Sequence, residues 1–158
     1  MAQRFLPLVP ATGQPDPMRG CPVHELRGRL RKSGLRPTRQ RIALGWLLLG
    51  KGPRHVTAEG IHAEAASLRV AVSLATVYNT LHQFTGAGLL REVSIDGARA
   101  YFDTDTRAHH HFLVEETSEL IDIPFSAVAF GQLPPPPPGM EVDRVDVVVR
   151  LRRARPAS

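Results

Sequence analysis

The chain has 158 residues, a formal net charge of +5 and a single cysteine. One cysteine excludes a disulfide within the chain and the paired Cys-x-x-Cys zinc clamp, and we expect neither a signal peptide nor a membrane span, which points to a reduced cytoplasmic compartment. Residues 19–100 carry thirteen Lys and Arg against five Asp and Glu, a net charge of +8, whereas residues 101–149 carry two against nine, a net charge of −7. The first part therefore suits a polyanion such as DNA, and the two parts imply different partners.

Three helical segments come first. The earliest runs from Pro22 to Lys32, and Thr38 and Thr57 are suitable N-caps for the second and third. Apolar residues nearly surround the second helix, which predicts that it is buried. The positions expected to face the core are Val23, Leu26 and Leu30 in the first helix, Ile42, Leu44, Trp46, Leu47, Leu48 and Leu49 in the second, and Ala58, Ile61, Ala65 and Leu68 in the third.

A fourth helix, Ser73 to Phe84, runs into a short hairpin. Its apolar face is expected to pack on the core through Leu74, Val77, Leu81 and Phe84. The opposite face carries short polar groups and no acidic residue, so it can enter a major groove. The hairpin joins 89–95 to 98–102 through an Asp96-Gly97 turn. Four helices and a hairpin predict a winged helix, in which the fourth helix reads DNA.

The candidate DNA contacts fall into two groups. Base-reading candidates on the fourth helix are Ala75, Thr76, Tyr78, Asn79 and His82. Backbone or minor-groove candidates are Arg91 and Arg99 on the wing and Arg36, Arg39 and Arg41 around the start of the second helix. The alternatives are a solvated basic face, or an architectural DNA protein that uses charge alone.

The second part of the sequence predicts only a small hydrophobic core. Strands are expected at 111–115, 119–123 and 143–151, with a short helix at 125–130. The proline run 134–138 predicts an extended polyproline II spacer, or alternatively a ligand for a proline-binding domain. Because three strands with an open edge bury little surface, this part is expected to form a homodimer.

Three consecutive histidines point to metal chemistry. His109 and His111 are two residues apart and would share one side of a strand, whereas His110 would point to the other side. The alternatives are a solvated loop that picks up metal incidentally, or a small metal-dependent hydrolase. No Glu adjacent to the histidines offers a general base, so we expect no enzyme.

Four segments together resemble the ferric uptake regulator family. They are Gly34-Leu35-Arg36-Pro37-Thr38-Arg39-Gln40-Arg41, His55-Val56-Thr57-Ala58-Glu59, Leu74-Ala75-Thr76-Val77-Tyr78-Asn79-Thr80-Leu81 and Gly86-Ala87-Gly88-Leu89-Leu90. The likeness covers about 26–151. It is strongest to the iron response regulator branch of alphaproteobacteria, because Gly20-Cys21-Pro22-Val23-His24-Glu25-Leu26 occurs together with His109-His110-His111-Phe112. Val114 and Thr117 stand where many members carry the first cysteine pair.

The resemblance implies an α+β fold in three regions: a disordered leader at 1–19, a winged-helix DNA-binding domain at 20–103 and a small α/β dimerisation and sensing domain at 104–158. It also implies a regulatory site for Fe²⁺, Mn²⁺ or Zn²⁺. Its residues would be His55, Asp103, His109, His111 and Asp122, in which Asp103 and Asp122 replace Glu. An ion there would bridge the two domains.

The resemblance further implies haem control. Cys21, followed by Pro22, would form a haem regulatory motif, and the cluster His109, His110 and His111 would be a second haem site. From the residues alone, the favoured interpretation is that Pro22 is the first residue of a helix and Cys21 an incidental neighbour. The implied protein is a homodimeric repressor or dual regulator of iron homeostasis and haem synthesis that binds an A·T-rich palindromic operator. The alternative within the family is a direct Fe²⁺ or Mn²⁺ sensor that ignores haem.

Overall fold

A computed structural model describes residues 23–95 and 99–154. The predicted leader, Cys21, Pro22 and the Asp96-Gly97 turn lie outside these residues. The helices are α1 (Val23–Lys32), α2 (Arg39–Leu49), α3 (Ala58–Ser67) and α4 (Leu74–Gly86), with a 3-10 turn at Phe125–Ala127. The strands are β1 (His55–Val56), β2 (Arg91–Ile95), β3 (Arg99–Asp103), β4 (His109–Val114), β5 (Glu119–Pro124) and β6 (Val148–Leu151).

Side-chain caps begin three of the helices. Oγ1 of Thr38 accepts a hydrogen bond from the backbone of Arg41, Oγ1 of Thr57 from Gly60, and the Ser73 hydroxyl from Thr76. Each such cap stabilises a helix by about 1 kcal/mol, because it satisfies a backbone N–H that has no partner in the helix. All three predicted caps are confirmed.

The end of α4 also follows from local chemistry. The helix continues two residues beyond the predicted Phe84, to Gly86, and Gly88 then adopts a φ of +72°. Only a residue without a Cβ takes this conformation easily, so Gly88 turns the chain toward β2.

The main core lies between the four helices. Its fully buried side chains include Leu30, Leu48, Ile61, Leu81 and Phe84. Gly45 permits close approach of α1 to α2, because a Cβ there would lie 3.1 Å from the Leu26 side chain. Burial of this apolar stripe fixes the orientation of α4, and the other face of that helix stays exposed.

Four residues predicted to face the core are exposed instead. The exposed fractions are 46% for Val23, 41% for Trp46, 56% for Leu68 and 36% for Leu74. Val23 and Leu74 are the first residues of α1 and α4, and Leu68 directly follows the last residue of α3, so all three lie at helix ends. Trp46 shows that α2 is not buried all round, because α1, α3 and α4 leave part of its circumference uncovered.

Two three-stranded sheets follow the helices. The wing sheet has the order β1-β3-β2 with antiparallel neighbours, and the second sheet has the order β5-β4-β6, in which β4 and β6 are parallel. A smaller core of Val93, Ile95, Tyr101, Leu113 and Leu120 contains residues of both sheets. The two sheets therefore pack against each other within the described residues.

The C-terminal elements differ from the prediction. β4 begins two residues earlier than expected, at His109, and β6 covers only the last four residues of the predicted strand. The predicted helix at 125–130 is a single 3-10 turn. The proline run 134–138 is exposed and has no helix or strand, because proline supplies no backbone N–H for either. Among residues 23–95 and 99–154, no helix is both long and apolar enough to cross a membrane.

Candidate metal centre and DNA-binding face

Five side chains from four strands meet where the two sheets touch. Their candidate ligand atoms all lie within 4.8 Å of one another, and the residues are His55, Asp103, His109, His111 and Asp122. The register of the strands explains why these side chains lie together. His55 on β1 pairs with Asp103 on β3, and His111 on β4 pairs with Asp122 on β5. His109 joins them because it lies two residues before His111 on the same side of β4.

The two carboxylates face the three imidazoles. Oδ2 of Asp103 lies 2.8 Å from Nε2 of His109, 3.4 Å from Nε2 of His111 and 3.5 Å from Nε2 of His55. Oδ1 of Asp122 lies 3.0 Å from Nε2 of His55 and 3.5 Å from Nε2 of His109. All three imidazoles therefore direct the same ring nitrogen toward one point.

Burial and charge set the protonation of this cluster. Burial alone would lower the pKa of His55, but the nearby carboxylates of Asp103 and Asp122 outweigh it and raise the pKa to about 9. Burial opposes ionisation of Asp103 as well, yet the three imidazoles hold its pKa well below the usual range. The pKa of His109 is also raised, because the Asp103 carboxylate overcomes the effect of burial. Without a cation, protons therefore balance the two carboxylates.

The geometry fits a metal better than it fits a hydrogen-bond network. Nε2 of His55 and Nε2 of His109 are buried and have no aligned hydrogen-bond partner among the described residues, although carboxylate oxygens lie at ion-pair distance. Nδ1 of His109 donates to the carbonyl of Arg107 at 2.8 Å, which leaves the Nε2 lone pair for a cation. Three imidazoles and two carboxylates without thiolate suit Fe²⁺, Mn²⁺ or Zn²⁺.

His110 is not part of this cluster. It is fully buried on the opposite side of β4, with its ring centroid 5.1 Å from that of Phe125 and 5.3 Å from that of Phe130. The backbone N–H of Val147 donates to Nδ1 at 3.4 Å, so Nε2 carries the proton of the neutral ring. Burial lowers the pKa of His110, which keeps it neutral. The structure therefore separates His110 from His109 and His111, with which it was predicted to form one haem site. Cys21, the haem ligand predicted near the start of the sequence, lies outside the described residues.

The outer face of α4 carries the predicted base-reading residues. Ala75, Asn79 and His82 are exposed, and Thr76 is half-buried. Tyr78 donates its hydroxyl proton to Oε1 of Glu59 on α3 at 2.7 Å. Sequence reasoning missed this carboxylate, since the α4 face itself has no acidic residue and Glu59 reaches it only through the packing of α3.

The predicted arginine contacts occupy different environments. Arg36, Arg39 and Arg99 are exposed. Arg41 uses Nε and Nη2 to bond Oε1 of Gln83 and Nη1 to bond the carbonyl of Arg36, so it ties the start of α2 to α4.

Arg91 was predicted as a phosphate contact on the wing, and this prediction is wrong. Only 9% of Arg91 is exposed, and its guanidinium bonds the carbonyls of Arg107 and His109 and the carboxylate of Asp146. On β2 the buried Val93 and Ile95 alternate with the half-buried Glu92 and the exposed Ser94, which puts residue 91 on the buried side of the strand.

β1 is the element of the site that sequence reasoning missed. His55 was placed in a linker, yet it pairs with β3, and the Thr104 hydroxyl extends that pairing by accepting a hydrogen bond from the backbone of Arg54 at 2.8 Å. A two-residue strand has no periodicity to detect. The only local signal is the apolar Val56 directly before the Thr57 cap.

A winged helix whose sheet shares a His/Asp cluster with a second sheet defines a class of metal-responsive DNA-binding regulators. The chain belongs to the ferric uptake regulator family, whose model matches residues 32–130. A ferric uptake regulation protein of Pseudomonas fluorescens is 36% identical over 94 residues, which cover 59% of this chain and 76% of that protein. The peroxide-responsive repressor PerR of Staphylococcus epidermidis is 32% identical over 102 residues, which cover 63% of this chain and 67% of that protein.

Solved structures agree with this assignment. The ferric uptake regulator of Pseudomonas aeruginosa, solved with manganese, superposes with a TM-score of 0.63 at 29% identity, over 82% of this chain and 98% of that one. The regulator of Vibrio cholerae, at 20% identity and a TM-score of 0.64, shares the fold over 80% of this chain and 98% of that one. The predicted α+β fold is confirmed. Members of the family are transcription regulators rather than enzymes.

Proposed function

We propose that this protein is a homodimeric regulator of iron homeostasis and haem synthesis, whose affinity for its operator depends on a divalent cation. The residues that would hold this cation are His55, Asp103, His109, His111 and Asp122. The observation that carries the proposal is the position of this cluster. His55 and Asp103 belong to the wing sheet, whereas the other three residues belong to the second sheet.

A cation at this position would act as a mechanical link. It would supply two positive charges to two carboxylates that protonated imidazoles otherwise balance. Because its ligands come from both sheets, binding would favour the arrangement in which the sheets lie together and would disfavour separation. Asp122, with 44% of its side chain exposed, offers the side from which an ion can enter.

DNA would be read by the outer face of α4. Asn79 and His82 are exposed there, and Ala75 and Thr76 lie at the start of the helix, where base edges of the major groove are reached first. Arg36, Arg39 and Arg99 are exposed candidates for backbone contacts. Arg41 would act through its bonds to Gln83, which fix the position of α4 relative to these arginines.

Dimerisation would be the task of the second sheet. Apolar side chains on and beside this sheet are uncovered: Ile121 is 44% exposed, Phe125 50% and Val149 37%, and within the described part of the chain β6 pairs with β4 on one side and with no strand on the other. Such a surface and a free strand edge favour pairing with a second copy. In a twofold dimer the two α4 helices would read half-sites about 34 Å apart on the duplex.

Haem would be a second signal, as in the iron response regulator branch. The support is that the sequence contains both Cys21-Pro22 and the histidine cluster. A thiolate that precedes proline can ligate ferric iron. His110 is left out of this proposal, since it is fully buried on the opposite side of β4 from His109 and His111. Haem iron and a divalent cation would then compete for His109 and His111. The alternative is a direct Mn²⁺ or Fe²⁺ sensor that ignores haem.

Operator binding with and without Mn²⁺ tests the metal proposal. A duplex is first selected from random sequence by the wild-type protein. We expect Mn²⁺ to change the Kd of wild type for that duplex, and a His109→Ala, His111→Ala double variant to fold but to lose both Mn²⁺ binding and the change in Kd. His62→Ala, on α3 and outside the cluster, is the matched control. Unchanged Mn²⁺ binding by the double variant would contradict the proposal.

Haem titration separates the two versions of the regulator. We expect wild type to bind haem with a thiolate-type absorbance spectrum and to release its operator, and Cys21→Ala to lose that spectrum while keeping the Mn²⁺ response. If haem leaves the operator complex of wild type unchanged, the protein is a direct metal sensor.

A further inference from the structure

Arg91 connects the wing to the strand that carries two of the metal-site histidines. It is the first residue of β2 and is 9% exposed. Its Nη1 donates to the carbonyl of Arg107 at 3.2 Å, its Nη2 donates to the carbonyl of His109 at 3.3 Å, and its guanidinium pairs with Asp146. Every one of these partners lies beyond the wing in sequence.

The contacts of Arg91 fix one particular ligand candidate. The Arg107 carbonyl that accepts from Arg91 also accepts from Nδ1 of His109, at 2.8 Å. Arg91 therefore holds the backbone on both sides of His109 and the acceptor that orients its ring. An imidazole whose second nitrogen is held in this way presents a fixed lone pair to a cation.

The backbone of Arg91 is tied to a second ligand candidate. Arg91 pairs with Asp103 in the register of β2 and β3, and Asp103 pairs in turn with His55 on β1. A displacement of β2 would therefore act on Asp103 through the strand and on His109 through the guanidinium. Both residues contribute oxygen or nitrogen atoms to the cluster.

The ion pair extends the connection to the edge of the second sheet. Asp146 precedes Val147, whose carbonyl accepts from the backbone of His111 at 3.0 Å, where β4 and β6 begin to pair. Asp146 also pairs with Arg144 at 2.7 Å, but Arg144 has 54% of its side chain exposed, and its hydrogen bond to the wing is a 3.5 Å contact with the carbonyl of Glu92 rather than with β4. Arg91 is thus the arginine that joins Asp146 to the metal-site strand.

We propose that Arg91 is a positioning residue that transmits occupancy of the metal site to the winged helix, by holding His109 with its side chain and Asp103 through its strand. The inference rests on the metal control proposed above. The buried guanidinium is held by two carbonyls and a carboxylate in fixed directions, which lysine could not reproduce.

The test compares Mn²⁺ affinity and the ratio of operator Kd values without and with Mn²⁺. Arg91→Met keeps the bulk of the side chain and removes its donors. We expect its Mn²⁺ affinity to fall by about 10–100-fold, as for other residues that orient a metal-binding histidine. The Kd ratio should move toward one. Arg144→Met removes the other arginine of the Asp146 pair and should leave both quantities unchanged.

A second variant separates positioning from stability. In Arg91→Met with Asp146→Leu, both members of the ion pair are replaced by apolar groups, so an unbalanced charge on Asp146 cannot account for the result. The bonds to the Arg107 and His109 carbonyls stay absent, so we expect a folded protein with the same weakened Mn²⁺ response. A wild-type response in this double variant, or in Arg91→Met, would overturn the inference. An absent response in wild type would instead overturn the metal control on which it rests.

Discussion

Nε2 of His55 lies 3.0 Å from Oδ1 of Asp122, although His55 belongs to the wing sheet and Asp122 to the second sheet. The contact places a base and an acid of different sheets at the position where a cation would lie. Any ligand that binds both atoms must hold the two sheets together. In the proposed regulator, the relationship between these two residues would convert metal binding into a constraint on the DNA-binding helix.

Asp103 is expected to be the most sensitive ligand candidate. It is 1% exposed and faces all three imidazoles. Asp103→Asn preserves the shape and removes the charge, so Mn²⁺ affinity should fall by more than tenfold in an equilibrium titration. Asp143→Asn, the same change at an exposed site of the second part, should leave the affinity unchanged. Equal affinities of the two variants would contradict the role of Asp103.

Metal affinity is expected to rise with pH. The pKa of His55 is raised to about 9, so the metal-free protein carries a proton there at neutral pH, and a cation must displace it. Mn²⁺ affinity measured by titration should therefore increase by about tenfold per pH unit for that one proton and level off near the pKa. In the absence of metal, the stabilisation that His55 gains from the carboxylates is present at low pH and is lost as the pH rises through about 9. A flat affinity profile would contradict this assignment.

Asn79 is expected to contribute to sequence specificity, whereas Arg39 is expected to contribute to the affinity for any duplex. Asn79 is exposed on the face of α4 that is proposed to read DNA, so Asn79→Ala should weaken binding to the selected operator by about 10-fold or more and hardly affect random duplex. Arg39→Ala should weaken both duplexes alike and reduce the slope of log Kd against log salt by about one. Fluorescence anisotropy at several salt concentrations measures both effects. Equal losses on both duplexes for Asn79→Ala would remove its base-reading role.

Glu59 is expected to weaken DNA binding in the wild-type protein. Its carboxylate accepts from the Tyr78 hydroxyl at 2.7 Å, beside the exposed face of α4. The pKa of Glu59 is lowered by this bond, so the residue is charged at neutral pH. Glu59→Gln keeps a hydrogen-bond acceptor and removes the charge that repels phosphate, so binding should tighten several-fold at low salt and less at high salt. Glu25→Gln on α1 is the control.

Phe84 is expected to carry much of the stability of the helical core. It is fully buried at the end of α4, and Phe84→Ala should lower the free energy of unfolding by about 3–5 kcal/mol because it leaves a cavity. Leu74→Ala, on the same helix but 36% exposed, should cost about 1 kcal/mol or less. Urea unfolding of the metal-free proteins measures the difference. Similar midpoints for the two variants would contradict the packing described here.

The histidine cluster shows which part of the site a local pattern of residues predicts. The two-residue spacing of His109 and His111 predicts a shared side of a strand, and the structure has them on β4 facing the same point. Asp103 and His55 were added through family resemblance, since nothing local indicates that β1 pairs with β3. Register between strands is a long-range property, because it depends on which faces the sheets bury.

The sequence by itself determined the four helices, their caps, the winged order of elements and the family, because helix caps and apolar periodicity act within a few residues. The tertiary structure alone decided which groups hold Arg91 and which acid reaches the DNA-binding face. The alternation with Val93 and Ile95 indicates the side of β2 on which Arg91 lies, but no local pattern indicates which groups hold it. Only the packing of β2 against the second sheet and of α3 against α4 gives Arg91 and Glu59 their partners, which are distant in sequence.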